Sequence, residues 1–280
     1  MIRDQGLVSK IWRFAVWAVA GLFILNLIGV IAAVVVNSFA TRWLGTWLPV
    51  GLTTKWYFSA WKEFQLSSVV FVTFQIVFTV VLISGILGVT TAYALARRDF
   101  PGKRLVVLLF LLPLLIPPLT YGIPLATVLY QIGLGGSFWG VVLINLVPSL
   151  PFVVLVMIPF IEQIDPRIEA AARVFGAGTG SLFLRILLPL LLPGMLAALL
   201  LVLVRTIAMF ELTFLIAGPT SQTLVVSLYY AVFAAGVRAG QSIDAMAVIY
   251  MVTTLFWLIL ALQFVNPSQI VARAKQQPAS

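Results

Sequence analysis

The chain has 280 residues, of which 62% are hydrophobic and only 9% are charged, and its mean hydropathy is +1.14. A soluble domain uses about 45–50% apolar residues, so this composition is that of an integral membrane protein. The net charge of +9 does not indicate nucleic acid as a partner, because the 17 Lys and Arg residues are scattered between apolar segments and not gathered on one face.

Missing residue types restrict the chemistry further. The chain contains no cysteine and no histidine, so a thiol nucleophile, a disulfide, an imidazole base and the usual zinc ligands are excluded, and we expect no metal site. No lysine is followed by serine or threonine, so a Walker A phosphate loop is absent. Most enzyme activities are therefore excluded, and any ATP must be handled by another chain.

Six apolar segments are each near or above the roughly 20 residues that cross a hydrocarbon core of about 30 Å. They predict an all-α membrane protein with six transmembrane helices, at about Phe14–Val36, Ser68–Ala96, Leu105–Tyr130, Phe138–Phe160, Pro193–Ala217 and Ala245–Val265. The membrane region is thus 14–265, between an N-terminal segment 1–13 and a tail 266–280. The first span is too long for a signal-peptide core, so we expect it to be retained.

Basic residues predict the orientation of these spans. With the N-terminus inside, the cytoplasmic segments hold 12 of the 17 Lys and Arg residues, namely Arg3, Lys10, Arg13, Arg97, Arg98, Lys103, Arg104, Arg167, Arg173, Arg185, Arg273 and Lys275. This bias predicts a membrane protein with both termini in the cytoplasm. The apolar run Thr223–Val237 is short for a crossing, so we interpret it as extracytoplasmic or partly inserted.

A polar, glycine-rich segment, 165–189, separates the fourth and fifth spans. Asp165 and Pro166 are typical of a helix start, and apolar residues then recur at helical spacing up to Phe175. Three glycines follow, and Ser181 can cap a second short helix, Leu182–Leu188. From the residues alone, two readings stay open. The helices form a knob that fills a groove in another protein, or they are an ordinary loop on the membrane surface.

This segment resembles the EAA loop of the membrane subunits of type I ABC importers. The family pattern is Glu-Ala-Ala, three residues, Gly, nine residues, Ile, one residue, Leu-Pro, and the matching residues here are Ala171, Ala172, Gly176, Ile186, Leu188 and Pro189. The motif glutamate is the exception, because Ala170 occupies its place and Glu169 lies one position earlier. We expect Glu169 to serve in its stead, because one helix position is a turn of about 100° and a long side chain can bend back.

A second resemblance lies in the connection between the second and third spans. Residues 92–104, AYALARRDFPGKR, resemble the same junction in permeases of the maltose-type and polyamine-type branches, although by themselves they indicate only a basic turn. The resemblance covers about Ser67 to Val265. It implies the type I permease fold, with a coupling loop that docks on an ATP-binding subunit through Glu169, Ala170, Ala171, Ala172, Phe175, Gly176, Ile186, Leu188 and Pro189.

The same resemblance implies a location in the bacterial inner membrane, the partners and the function. We expect two ATP-binding cassette subunits that use ATP and Mg, a second homologous permease subunit, a periplasmic binding protein and the lipid bilayer. The chain would then be a non-catalytic subunit without a bound cofactor. It would form half of the pore of an importer for a small polar solute, a polyamine or a carbohydrate or polyol derivative, by alternating access. An ion channel or secondary carrier would explain six spans, but such proteins have no reason to carry the loop.

Polar residues within the spans mark a candidate translocation path. A lone charge in a span costs roughly 2.5–3.5 kcal/mol, so Arg205 and Glu211 should face a protein interior or a water-filled cavity. Six residues subtend about 240° on an ideal helix, so the two should not pair directly, and either substrate contact or a structural pair with another subunit stays open. Further candidates are Tyr121, Asn145, Thr206 and Thr213, for which hydrogen bonds between helices are the alternative role.

Overall fold

The computed structural model describes residues 7–43, 45–233 and 239–264. Within these ranges the chain forms α-helices joined by loops, with no extended strand, which confirms the predicted all-α class. The helices are α1 (Leu7–Phe39), α2 (Lys55–Glu63), α3 (Leu66–Arg97), α4 (Lys103–Leu115), α5 (Pro118–Gln131), α6 (Phe138–Glu162), α7 (Pro166–Val174), α8 (Thr179–Leu182), α9 (Leu188–Ile207), α10 (Glu211–Ile216), α11 (Leu224–Phe233) and α12 (Gly240–Phe264).

Five continuous helical stretches in the described ranges are long and apolar enough to cross a membrane. They are Ser9–Phe39, Leu66–Arg97, Phe138–Glu162, Thr179–Ile207 and Gly240–Leu260. A sixth crossing results if the bent pair α4 and α5 is counted as one span. The division into residues 1–13, 14–265 and 266–280 stays a prediction, since residues 1–6, Val265 and the tail lie outside the described residues.

The predicted third span is not one helix. α4 and α5 meet at an angle of 100°, with Ile116 and Pro117 in extended conformations between them. Each of these two residues precedes a proline, and the ring of a following proline disfavours the helical conformation. By contrast, Pro148, Pro151 and Pro159 lie inside α6 without ending it, so its span is continuous.

The predicted fifth span, Pro193–Ala217, also needs correction. α9 ends at Ile207, and α10 begins only at Glu211. Arg205 therefore lies in the last turn of α9 and Glu211 at the start of α10. The angle of 240° that we calculated for one ideal helix does not apply to residues on either side of a break.

Contacts divide the chain into two units, Met1–Phe64 with Ala231–Met251, and Gln65–Tyr230 with Val252–Ser280. In the second unit α3, α6 and α9 pack around one apolar core, whose fully buried members include Val80, Ile144, Val153, Met157 and Ala198. Gly88 lies where α3 approaches α6, and a Cβ there would come within 2.7 Å of the side chain of Val153. Glycine thus permits the close contact of the two central helices.

The first unit contains α1, α2 and the loop between them. Trp56 donates its indole N–H to the carbonyl of Ala40 at 2.7 Å, and the hydroxyls of Ser38 and Tyr57 lie 2.8 Å apart. Asn37 donates to the carboxylate of Asp244 at 2.5 Å, which ties the end of α1 to the first turns of α12. The most apolar stretch of α1 buries none of its residues within the chain.

The apolar run Thr223–Val237 forms α11 over Leu224–Phe233, and its residues 234–237 lie outside the described part. Ten helical residues span about 15 Å, half of a hydrocarbon core. The backbone N–H of Leu224 donates to the hydroxyl of Thr73 at 2.8 Å, which fixes the start of α11 against α3. Whether the helix enters the membrane stays a prediction.

Candidate functional site

The first helix of the segment 165–189 begins and ends as the sequence predicts. The carboxylate of Asp165 accepts the N–H of Arg167 at 2.8 Å, and Pro166 is the first helical residue of α7. At the other end Gly176 has a φ of +84°. The N–H of Gly176 donates to the carbonyl of Arg173, and that of Ala177 donates to the carbonyl of Ala172, both at 3.0 Å. This is a Schellman motif, whose left-handed residue favours glycine.

Glu169 faces into the protein. Only 8% of the residue is exposed, and both carboxylate oxygens are bound by side chains from the last turns of α3. Tyr93 donates its hydroxyl to Oε2 at 2.6 Å, and Arg97 donates Nε–H to Oε1 at 2.7 Å. Arg97 also donates from Nη2 to the carbonyl of Ile164 at 2.7 Å.

This geometry corrects the expectation that Glu169 bends back into the place of the missing motif glutamate. Ala170, which occupies that place, is exposed on another face of α7, while Glu169 and Ala172 are buried three positions apart on the face toward the chain. Because α3 binds both carboxylate oxygens of Glu169, this side chain cannot reach the surface at position 170. The outward face of α7 therefore lacks the family's acidic side chain.

The exposed end of α7 is apolar. Val174 and Phe175 are 86% and 89% exposed, although they lie in a polar segment. Ala171 and Gly176 beside them are exposed as well. The result is an uncovered apolar tip, defined here as Val174 and Phe175, next to the polar outward face of α7.

The second half of the segment differs from the prediction. The predicted separate helix Leu182–Leu188 is instead part of a continuous stretch that begins at Thr179, passes through a π-helical turn at Phe183–Leu187 and runs on as α9. Ser181 therefore lies inside α8 and is not its cap. Leu187 is fully buried, Ile186 and Leu188 are half-buried, and Pro189 is exposed. These motif residues join the segment 165–189 directly to the fifth span.

Two of the predicted path residues bond to each other. Asn145 on α6 and Thr213 on α10 are 1% exposed, and the amide of Asn145 donates to the hydroxyl of Thr213 at 3.1 Å. The same amide donates to the carbonyl of Val141 at 2.9 Å. The two residues thus form a hydrogen bond between helices, which was the alternative to a role in the translocation path. This bond ties α10 to the central helix α6.

The remaining path candidates lie near the break between α9 and α10. Tyr121 lies on α5, which packs against α10, and the guanidinium carbon of Arg205 lies 5.9 Å from the ring centre of Phe152. No ion pair involves Arg205 or Glu211 among the described residues. The hydroxyls of Tyr121 and Thr206 are buried there without a hydrogen-bond partner in the described part of the chain.

Reasoning from the sequence missed three residues of the site. Tyr93 and Arg97 bind the segment from α3, and Val174 forms half of the apolar tip. The first two lie in the junction 92–104, whose family resemblance was a signal for them, but no spacing rule links residues 93 and 97 to residue 169. Val174 carried no signal, since its position in the motif is one of the unspecified residues.

A family model described as the inner membrane component of binding-protein-dependent transport systems matches residues 84–270, more than half of the chain. The molybdenum transport permease protein ModB of Haemophilus influenzae is 37% identical over 160 residues, which are 51% of this chain and 69% of that protein. The spermidine/putrescine transport permease protein PotC of Escherichia coli is 27% identical over 246 residues, 88% of this chain and 89% of PotC.

The fold is also that of a solved transporter. A crystal structure of a bacterial ABC transporter that imports the acidic polysaccharide alginate superimposes with a TM-score of 0.74 at 17% identity, over 93% of this chain and 99% of that chain. The ion channel or secondary carrier is not favoured by these relatives. The family consists of non-catalytic pore subunits with several membrane spans. The chain therefore belongs to the inner membrane components of binding-protein-dependent transport systems, the permease subunits of ABC importers.

Proposed function

We propose that this chain forms half of the translocation pore of an importer with a division of labour. A second, homologous permease subunit forms the other half, two ATP-binding subunits hydrolyse ATP with Mg, and a periplasmic binding protein delivers the solute. The chain itself binds no cofactor. The family description supports this arrangement, because it names transport that depends on a binding protein.

One observation carries the docking of the ATP-binding subunit, namely the apolar tip of α7. Val174 and Phe175 are almost fully exposed, and burial of each such side chain in a partner would contribute about 1.5–3 kcal/mol. The opposite face of α7 is held by α3 through Glu169. A short helix with a fixed inner face and a free apolar end suits a cleft on another protein.

The basic residues of the loops support an orientation in which this tip faces the cytoplasm. Arg98, Lys103, Arg167, Arg173 and Arg185 lie in the two connections on the same side as α7. Basic loops are retained in the cytoplasm during insertion. Both termini then lie in the cytoplasm of the bacterial cell, and the ATP-binding subunits meet α7 there.

Transport follows from movement of the segment 165–189. ATP-driven closure of the two ATP-binding subunits displaces the tip of α7, and the continuous stretch Thr179–Ile207 connects the same segment to the fifth span. Arg205 and Thr206 lie in the last turn of that span. The motion therefore reaches the polar groups near the break between α9 and α10, and the pore opens alternately to the two sides.

The polar groups at this break support a path for a small polar solute. A buried hydroxyl without a partner and an unpaired charge are both costly in a membrane interior. Tyr121, Thr206, Arg205 and Glu211 are therefore satisfied by solute, by water or by the second permease. Groups of both charge signs suit a polyamine or a carbohydrate or polyol derivative, and PotC and the alginate transporter carry solutes of these classes.

Reconstitution tests the proposal. The permease pair, the ATP-binding subunits and the binding protein are combined in nanodiscs, and ATP hydrolysis is measured with and without the binding protein. We expect stimulation by the binding protein, and its absence in the wild-type complex would contradict the proposed function. Native mass spectrometry of the purified binding protein then identifies its solute, and an inorganic anion such as molybdate would contradict the proposed solute class.

A further inference from the structure

α7 is attached to α3 by directional hydrogen bonds. Arg97 reaches two points on the segment at once, the carboxylate of Glu169 and the carbonyl of Ile164. These points lie five residues apart, on either side of the start of α7. Two bonds from one planar guanidinium fix both position and orientation, so α7 cannot slide or turn on α3 while both are formed.

Tyr93 adds a third connection and extends it to the other half of the segment. Its hydroxyl donates to Glu169, and its ring packs edge-on against Phe183 with 6.0 Å between ring centres. Phe183 opens the π-helical turn that leads into α9. The last turns of α3 therefore touch both α7 and the start of the fifth span.

The ion pair is shielded from solvent, since the side chains of Arg97 and Glu169 are 14% and 10% exposed. An ion pair of this kind is strongly coupled, because removal of one partner leaves the other charge buried and uncompensated. α7 itself has only nine residues, too few to be stable alone in water. Its position thus depends on the rest of the chain, and its buried ion pair is with α3, a helix of 32 residues that is about 48 Å long.

We propose that Tyr93 and Arg97 are positioning residues that fasten the coupling helix α7 to α3, so that displacement of the α7 tip moves α3 and is not lost as rotation of α7. This inference rests on the proposed function, because it assumes that an ATP-binding subunit pushes on the tip. It assigns to α3 a direct mechanical link with the motor that does not pass through the loop connections.

The test uses the full complex in nanodiscs with the purified binding protein as the probe, and its readout is the ratio of stimulated to basal ATP hydrolysis. Arg97→Gln removes both charge-assisted hydrogen bonds of the guanidinium, each worth about a factor of ten or more, so the attachment should shift about a hundredfold or more toward its open form. We expect most of the stimulation to disappear while the ATP-binding subunit still co-purifies. Tyr93→Phe, which lacks only the hydroxyl, should lose part of the stimulation.

The matched control is Arg98→Gln, one residue further on, which removes the same charge. Arg98 is exposed and makes no ion pair among the described residues, so its variant should retain the wild-type ratio. An Arg97→Gln complex with the ratio of this control would overturn the proposal. A wild-type complex without any stimulation would instead reject the proposed function, so the two failures are distinguishable.

A rescue experiment separates a mechanical link from a general structural role. It also tests the proposal if the Arg97→Gln complex does not assemble. The chain has no cysteine, so the double variant Arg97→Cys and Glu169→Cys carries one reactive pair. A short reagent that bridges two thiols should restore stimulation, whereas a reagent that blocks each thiol singly should not. Equal stimulation with both reagents would show that attachment to α3 is not what the two residues supply.

Discussion

Replacement of Phe175 by alanine tests the docking of the ATP-binding subunit most directly. Phe175 is 89% exposed in the single chain, so the variant creates no cavity and should leave the stability of the permease within about 0.5 kcal/mol of wild type. If the ring is buried in the partner, its loss costs about 2 kcal/mol, or about a thirtyfold increase in the Kd for the ATP-binding subunit. The entire effect should therefore appear in the complex.

Biolayer interferometry between the permease in nanodiscs and the purified ATP-binding subunit measures this Kd. Phe78→Ala is the control, because Phe78 is 62% exposed but lies within the long helix α3, remote in sequence from the segment 165–189. We expect Phe78→Ala to bind like the wild type. Equal Kd values for the two variants would refute the argument that the tip of α7 enters a cleft of the partner.

Three further predictions follow from the same structure. Gly176→Ala forces a side chain into a left-handed conformation at a φ of +84°, which costs about 1–2 kcal/mol, and hydrogen exchange should report lower protection of the α7 amides; unchanged protection would contradict the Schellman end. A double-mutant cycle of Asn145→Leu and Thr213→Val should give a coupling of about 0.6 kcal/mol in thermal unfolding, and strict additivity would count against their hydrogen bond. The purified chain alone should hydrolyse no ATP in a phosphate-release assay, and any turnover would contradict its role as a non-catalytic subunit.

The position of Glu169 illustrates what a motif can and cannot predict. The capping residues and apolar spacing correctly predicted a helix, Pro166–Val174, between the N-cap Asp165 and the left-handed Gly176, and the motif spacing placed the family pattern on it. It did not predict which face of that helix each residue occupies, because that depends on the helices packed against it. A shift of one residue is a turn of about 100°, which here separates a carboxylate bound to α3 from an exposed alanine.

The sequence by itself determined the membrane class, the helical fold and the family, because apolar runs, loop charges and motif spacing are local properties that no neighbouring element can alter. Tertiary structure alone decided the break between Ile207 and Glu211, the inward direction of Glu169 and its bonds to Tyr93 and Arg97. Those features join residues up to 76 positions apart. Such contacts depend on how α3, α6 and α9 pack against one another, which the pattern of a single helix does not contain.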